Sequence, residues 1–300
     1  MEKKEVSQFY DAASINYEQQ YKRDNLENTN ISYPANYFRL QLLLNSFVNN
    51  GIKKVVEVGV GEGTPLVTLA KAGIEVAGFD ISEEMVKKSK KFLEKNGLPS
   101  QKIIWGDIED SLTYASLMNE GQYDGLIAMG VMPHVINDIK VLRNMKSLIK
   151  PGGKVFIEFR NKLFSLFSFN KLTYDFIMDD LLDNVSPEIK ETVSIDLKKR
   201  LEMNQPTPRL VSDHNLNAPG YDAILSKFHN PFEVKDLFKS EGFCDVQIMW
   251  YHYHPAPPFL ENKNVQSYRE ESIKLEQENS GWKGYFLCSA FVIEATKIGN

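Results

Sequence analysis

The sequence predicts an α/β fold, a mostly parallel sheet wound on both faces by helices, and three observations carry that prediction. Short apolar runs rich in Val and Ile alternate with stretches of helical period from residue 52 to residue 159, the rhythm of repeated βα units. The first run, Val55-Val56-Glu57-Val58, leads at once into Gly59-Val60-Gly61-Glu62-Gly63 and a helix pattern opening at Pro65. The second run ends on Asp80, about twenty residues beyond Gly59. At that separation an acid on the tip of the second strand meets the ribose of a nucleotide-like ligand.

Composition bounds the rest. A chain of 300 residues, 42% hydrophobic and 25% charged, is ordinary for a globular protein and long enough to bury a core without disulfides or metals. It makes one large or two small domains. A net charge of −5 with no basic stripe argues against a nucleic-acid partner. No apolar run approaches the length of a membrane span, and Met1–Glu5 is not followed by the apolar stretch of a signal peptide. The two cysteines, Cys244 and Cys288, lack metal-ligand spacing and lie in strand-like runs. They read as reduced core thiols, and the expected compartment is cytoplasmic.

Taken in order, residues 1–50 form an N-terminal helical cover. Residues 1–31 are polar, with Phe9, Tyr10, Tyr17 and Tyr21 at roughly helical spacing. A second helix spans 34–48, with Pro34 at its start and Ser32 near the cap. Its apolar stripe is Leu40, Leu43, Leu44, Phe47 and Val48, and Gly51 stops it. Strand 1 covers 54–58, where Val suits a strand buried on both faces. In the loop, glycine permits positive φ and close approach of a ligand, and Pro65 suits the first helical turn. Thr64 stands where a dinucleotide fingerprint needs its third glycine, and no Lys completes a phosphate loop. Glu57 would repel a pyrophosphate but receive a cationic amino-acid ligand.

Helix 65–72 closes at Gly73, and strand 2 covers 74–79. The Asp80 carboxylate offers two acceptor oxygens to a ribose diol. The alternative is a helix cap, for which Ser82 before Glu83-Glu84 is better placed. Helix 83–95 turns Met85, Val86 and Phe92 inward and Lys87, Lys88, Lys90 and Lys91 to solvent. Strand 3 covers 102–106 and runs into Asp107-Ile108; a helix near 111–118 precedes strand 4 at 123–129. The loop Gly130–Val135 holds His134, and helix 137–149 turns Ile139, Leu142, Met145 and Leu148 inward. Lys150-Pro151-Gly152-Gly153 ends that helix in a tight turn before strand 5 at 154–159.

The rhythm then breaks. It resumes with helix 231–240 and two terminal strands, 243–250 and 285–293. Residues 51–161 and 231–300 therefore form the core, 162–230 a first insertion and 251–283 a second. Loops of such length fold or carry function in compact domains. The first insertion is aromatic (Phe164, Phe167, Phe169, Tyr174, Phe176), with helices near 172–183 and 187–203. The second opens on Tyr251-His252-Tyr253-His254. His252 and His254 share one face of a strand. They suit a polar pocket wall; no metal is expected, since no familiar ligand spacing is present.

Glu57-Val58-Gly59-Val60-Gly61-Glu62-Gly63 resembles motif I of class I S-adenosylmethionine (SAM)-dependent methyltransferases. Asp80, Asp107-Ile108, the Gly130–Val135 loop and Leu148–Gly153 follow in that family's order. The resemblance covers about 52–160 and the last hairpin. It implies a Rossmann-like seven-stranded mixed sheet of order 3-2-1-4-5-7-6, with SAM as cofactor and S-adenosylhomocysteine (SAH) as product. It also implies cofactor contacts at Tyr10, Tyr17, Glu57, Gly59, Gly61, Gly63, Asp80, Ile81, Met85, Asp107, Ile108, Met129 and Gly130. Asp107 would accept from the adenine amino group and Ile108 pack on the base. Phe9-Tyr10-Asp11 and Tyr17-Glu18 are similar to a family segment that folds over the cofactor; the alternative is a helix that only covers the sheet.

The implied reaction is in-line displacement of the sulfonium methyl group in a dry site, onto an oxygen or nitrogen of a small molecule of sugar or secondary-metabolite type. His134, with a pKa near neutrality when unperturbed, is the first candidate base; its alternative role is to cap or orient its loop. His214, His229 and His252 are rivals on the insertions. The insertions are expected to form an acceptor lid, with Arg160, Tyr221, Tyr251 and His254 as substrate-binding residues. An acidic chain with an aromatic lid suits a small molecule. RNA or protein as acceptor, or a non-catalytic SAM-binding subunit, are the alternatives; the glycine spacing disfavours a dehydrogenase. The sequence sets no oligomeric state.

Overall fold

A computed structural model describes residues 5, 6, 8, 17–119, 122–201, 209–212, 218–277 and 281–299. Seven strands form one sheet: β1 Lys54–Val58, β2 Glu75–Asp80, β3 Ile103–Trp105, β4 Tyr123–Ala128, β5 Ile149–Arg160, β6 Phe243–Tyr253 and β7 Cys288–Lys297. Their order is β3-β2-β1-β4-β5-β7-β6. The first five pair in parallel, and β7 runs antiparallel to both β5 and β6. The longer helices are α1 Ala35–Asn50, α2 Thr64–Lys71, α3 Glu83–Lys95, α4 Asp138–Leu148, α5 Pro187–Leu201, α6 Pro231–Ser240 and α7 Val265–Glu276. This is the Rossmann-like sheet that the sequence predicts.

Side-chain alternation explains why the central strands are mainly apolar on both faces, Glu57 of β1 and Glu158 of β5 being buried exceptions. Val55 and Val56 are both fully buried but belong to different cores. Val55, Ile127, Phe156 and Val292 meet α1, α2 and α3 through Leu43, Phe47, Leu66, Leu69, Val86 and Leu93. Val56, Leu126, Val155 and Phe291 meet α4 and α6 through Val141, Leu142, Met145, Val234 and Phe238. With helices on both faces, both faces of a central strand are covered and favour apolar residues. Since β2 and β4 flank β1 on opposite sides, the loops leaving β1 and β4 diverge and open a crevice at the strands' carboxyl ends.

Local signals held at several ends. Gly51 ends α1 at φ 61°, and Ser82 caps α3 by accepting the Met85 amide at 3.0 Å. Ser32 is not a cap; Pro34 occupies that position with no side-chain bond. Val48 and Ile139 are exposed at 81% and 44%, so the apolar stripes of α1 and α4 are narrower than their spacing suggests. The predicted helix 111–118 is a 3-10 turn, Ser111–Tyr114, followed by Ala115–Asn119.

The sheet's far edge departs further. Lys150–Gly153 lies inside β5, which begins at Ile149, and the pairing with β4 shifts register between Tyr123 and Gly125. Gly152 takes φ 75° there, so the turn is absorbed as an irregularity in the strand. Tyr285–Leu287 are not strand: Gly284–Leu287 is a helical turn, and β7 begins at Cys288. A Cβ on Gly284 would lie 2.3 Å from Trp250, so this turn closes directly on the indole of β6.

The first insertion begins with short turns, Lys162–Phe164, Ser165–Ser168 and Lys171–Asp175. The predicted helix 172–183 is therefore split, its second part being a π-helical segment, Phe176–Leu181. The second insertion folds as a 3-10 turn, Pro258–Lys263, and α7. Arg269 of α7, only 2% exposed, donates to the carbonyls of Asn25, Leu26, Asn28 and Ile31, tying the N-terminal segment to this insertion. Among the described residues no helix is long and apolar enough to cross a membrane.

Candidate active site

The crevice is lined by the loop Glu57–Glu62, by Phe79, Asp80 and Ile81 after β2, by Gly106–Glu109 after β3, and by Met129–Val131, His134 and Val135 after β4. Met85 of α3 and Arg39 of α1 complete it, with Val6 and Tyr21 from the N-terminal segment. It encloses about 1010 Å³ of space that opens to solvent.

Backbone amides position its acids. Asp80, 9% exposed, accepts the Gly61 N–H on Oδ2 and the Ser82 N–H on Oδ1, both at 2.9 Å. A carboxylate has about four acceptor positions, so this one can hold a diol beside the two amides. Asp107, half-buried, accepts the Glu109 N–H at 2.9 Å, while its own N–H donates to Thr113 Oγ1 at 2.9 Å. Glu109 accepts the Ile136 and Asn137 N–H groups at 3.2 Å, joining the loop after β3 to that after β4. Gly61 has open space where a Cβ would stand; a Cβ on Gly63 would sit 2.6 Å from Ser89 Oγ. One glycine leaves room for a ligand, and the other lets α2 start against α3.

Glu57 is buried, and its Oε2 has no hydrogen-bond partner. Burial holds its pKa well above the carboxylate range; Arg39 opposes this, while Glu62 and Asp80 add to it. Arg39, 4% exposed, donates to Glu158 Oε2 at 2.5 Å and to the Tyr21 hydroxyl at 3.0 Å. The Tyr251 hydroxyl donates to the other oxygen of Glu158 at 2.5 Å. Sequence reasoning missed Arg39, Glu158 and Glu109. The available signal was a lone cation, Arg39, beside Leu40 on the inward stripe of α1.

His134 closes the crevice on the β4 side. Its Nδ1 donates to the Leu225 carbonyl at 2.6 Å, which leaves Nε2 as the basic nitrogen. Burial lowers its pKa to about 4; the Leu225 carbonyl and Glu158 oppose this, and Arg160 and Lys227 reinforce it. Tyr221 meets His134 edge-on with ring centroids 6.3 Å apart, and the Arg160 guanidinium lies 4.2 Å from the Tyr221 centroid. Three residues named from sequence, His134, Arg160 and Tyr221, are thus brought together.

The other histidines are placed differently. His229 meets Asp138 at 3.2 Å and lines a second cavity beside α4, α6 and the π-helical segment, not the crevice. His252, at φ 59°, bonds Ser289 at 2.9 Å and stacks on Tyr33. His254 donates to the Tyr268 hydroxyl at 2.9 Å, and the two imidazole centroids are 4.6 Å apart. Burial lowers the pKa of both, that of His252 to about 4. Neither lines the crevice, and Tyr251, 2% exposed, is committed to Glu158. These side chains pack one another instead of forming the expected pocket wall. Tyr10 and His214 lie outside the described residues; Tyr17 opens a 3-10 turn, Tyr17–Tyr21, but its side chain lies outside them too.

A family model described as a methyltransferase domain matches residues 50–208, more than half of the chain. The chain belongs to the class I SAM-dependent methyltransferases. It is 31% identical over 203 residues to a ubiquinone biosynthesis O-methyltransferase of Vibrio parahaemolyticus, covering 68% of each chain. It is also 31% identical over 115 residues to the Actinobacillus pleuropneumoniae protein of the same name, covering 38% of this chain and 49% of that one. The chain thus spans about half the length of some curated relatives that it matches. Magnesium protoporphyrin IX methyltransferase from Synechocystis, solved with bound SAH, shares the fold at a TM-score of 0.53 and 14% identity, over 99% of this chain and 100% of that one.

The crevice of this methyltransferase fits SAM, the family's cofactor. The orphaned Glu57 Oε2 matches an ammonium group, the amide-fixed Asp80 matches a ribose diol, and the bare side of Gly61 leaves room for the ligand backbone between them. Ile108, 6% exposed, and Met85, 2% exposed, give apolar walls for a base.

Proposed function

We propose that this methyltransferase moves the SAM methyl group to a hydroxyl oxygen of a small secondary-metabolite-type acceptor. The observation that carries this reading is His134. It lines the same crevice as Glu57 and Asp80, with its tautomer set by the Leu225 carbonyl. The relatives named as O-methyltransferases favour oxygen as the acceptor atom.

SAM supplies an electrophilic methyl carbon on a good leaving group. Glu57 binds the ammonium group, Asp80 the ribose hydroxyls, and Asp107 with Ile108 the adenine. Arg39, opposite Glu57, orients the amino-acid end. The acceptor oxygen attacks the methyl carbon in line, the C–S bond breaks, and SAH departs. His134 Nε2 takes the hydroxyl proton. Tyr221 and Leu225 of the first insertion, which meet His134, cover the acceptor side of the crevice and help to exclude water.

The test is transfer of labelled methyl from SAM to a panel of phenols and sugars, with product mapping. Transfer to a phenolic oxygen, reduced in His134→Gln, supports the reading. Tight SAM binding with no transfer to any hydroxyl overturns it in favour of a non-catalytic or macromolecule-directed protein.

A further inference from the structure

Three arginines, at 39, 160 and 269, are withdrawn from solvent around the crevice and the N-terminal segment. Arg39 is paired with Glu158, and Arg269 is bonded to four carbonyls. Arg160 differs. Its guanidinium lies 4.2 Å from the Tyr221 centroid and 6.0 Å from that of Phe228, and among the described residues no side-chain or backbone acceptor bonds it. The carboxylates around it are committed elsewhere: Glu158 to Arg39 and Tyr251, Asp222 to Arg209, Asp138 to Lys227 and His229.

We propose that Arg160 is the acceptor's anchor, and that the acceptor carries a carboxylate which this guanidinium binds. The inference rests on the methyl-transfer reading only in calling the bound molecule the acceptor. Stacking on Tyr221 uses the face of the guanidinium, whereas its five N–H donors lie in its plane. Those donors match a carboxylate in a two-point fork, which a lysine does not provide. Among the described residues this half-buried cation has no counter-ion bonded to it, which is costly, and an anionic ligand removes that cost.

The placement suits an acceptor. Arg160 ends β5, next to β4, whose following loop carries His134. Both residues contact the same Tyr221 ring, so one small molecule can reach Arg160 with its anion and His134 with its hydroxyl. Burial is the main cause that disfavours protonation of His134 and the Arg160 charge adds to it, so the anion would also offset that added part and strengthen the base when the acceptor is bound.

The test uses the full chain saturated with SAH, titrated calorimetrically with benzoate and with benzamide. Benzoate is expected to bind at least tenfold tighter. Arg160→Gln is expected to cut that preference below threefold, and Arg160→Lys to retain part of it, with SAH affinity unchanged in both. Equal binding of acid and amide, no binding of either, or a preference that survives Arg160→Gln overturns the assignment. If Arg160→Gln does not fold, Arg160→Lys decides, since loss of the fork must still weaken the preference. A parallel methyl-transfer assay with 4-hydroxybenzoate separates the two claims. Arg160-dependent binding without transfer would sink the reaction and leave the anchor. Transfer with KM unchanged in the variant would sink the anchor and leave the reaction.

Discussion

The acids at the ends of β2 and β3 are held by backbone, whereas polar groups around β5, β6 and α7 are held by one another. Asp80 is fixed by the amides of Gly61 and Ser82, and Glu109 by those of Ile136 and Asn137. Across the sheet, Arg39, Glu158 and Tyr251 form a side-chain chain, and His252, His254, Tyr33 and Tyr268 form another with Ser289. An amide is present whatever the residue, so the first region keeps its geometry as the sequence varies. The second changes whenever one partner changes. That is the division expected between a cofactor crevice and the packed structure beside it, whose side chains do not line the crevice.

The sharpest way to break this contrast is Asp80→Ala against Tyr268→Phe. If Asp80 binds the ribose as proposed, the first removes two charge-assisted bonds and should weaken SAM binding by about 100-fold or more. The second should leave it within about twofold, and equal losses in the calorimeter would erase the distinction. Next in size is Gly63→Ala. Strain at φ 95° and contact with Ser89 should cost about 2–3 kcal/mol in denaturant unfolding. Gly281→Ala, at φ 112° in open space, should cost about 1 kcal/mol; a reversed order would show that the loop–helix packing is not tight.

His134→Gln should lower kcat about 10- to 100-fold while SAM affinity holds; full turnover would leave His134 only an orienting role. The smallest effect concerns pH. His252 and His254 have folded pKa values lowered chiefly by burial, so their contribution is present above about 6.5 and is lost as pH falls below that, for His252 towards 4. Glu276, raised to about 8 chiefly by burial, acts oppositely, costing stability as pH rises from 4.5 to 8. With two groups against one, residues 251–277 should open by about 1 kcal/mol per pH unit between 6.5 and 5. Hydrogen exchange corrected for intrinsic rates checks this, and protection that grows on acidification contradicts it.

The same contrast explains what could be read in advance. The five parallel strands, the glycine loop, Asp80, Ser82 as cap and Gly51 as stop are local in the chain, and spacing alone exposes them. The His134–Arg160–Tyr221 cluster needs residues far apart in sequence, and only the fold brings them together. His229, His252 and His254 looked functional because histidine is rare in this chain, yet each is engaged in packing. Glu158 sat unnoticed in an apolar strand, since its partners come from α1 and β6. The turn at Lys150–Gly153 was misplaced because β5 carries it as an irregularity of pairing, which no local residue preference reveals.

Hydrogen exchange of the full chain with and without saturating SAH tests the central claim most directly, that the cofactor binds the backbone-held crevice and not the side-chain network of 251–277. SAH should protect segments 57–64, 80–82, 106–109 and 129–135, and leave 251–277 unchanged. Protection concentrated in 251–277 or around the second cavity at 172–180, with the glycine loop unaffected, would contradict it.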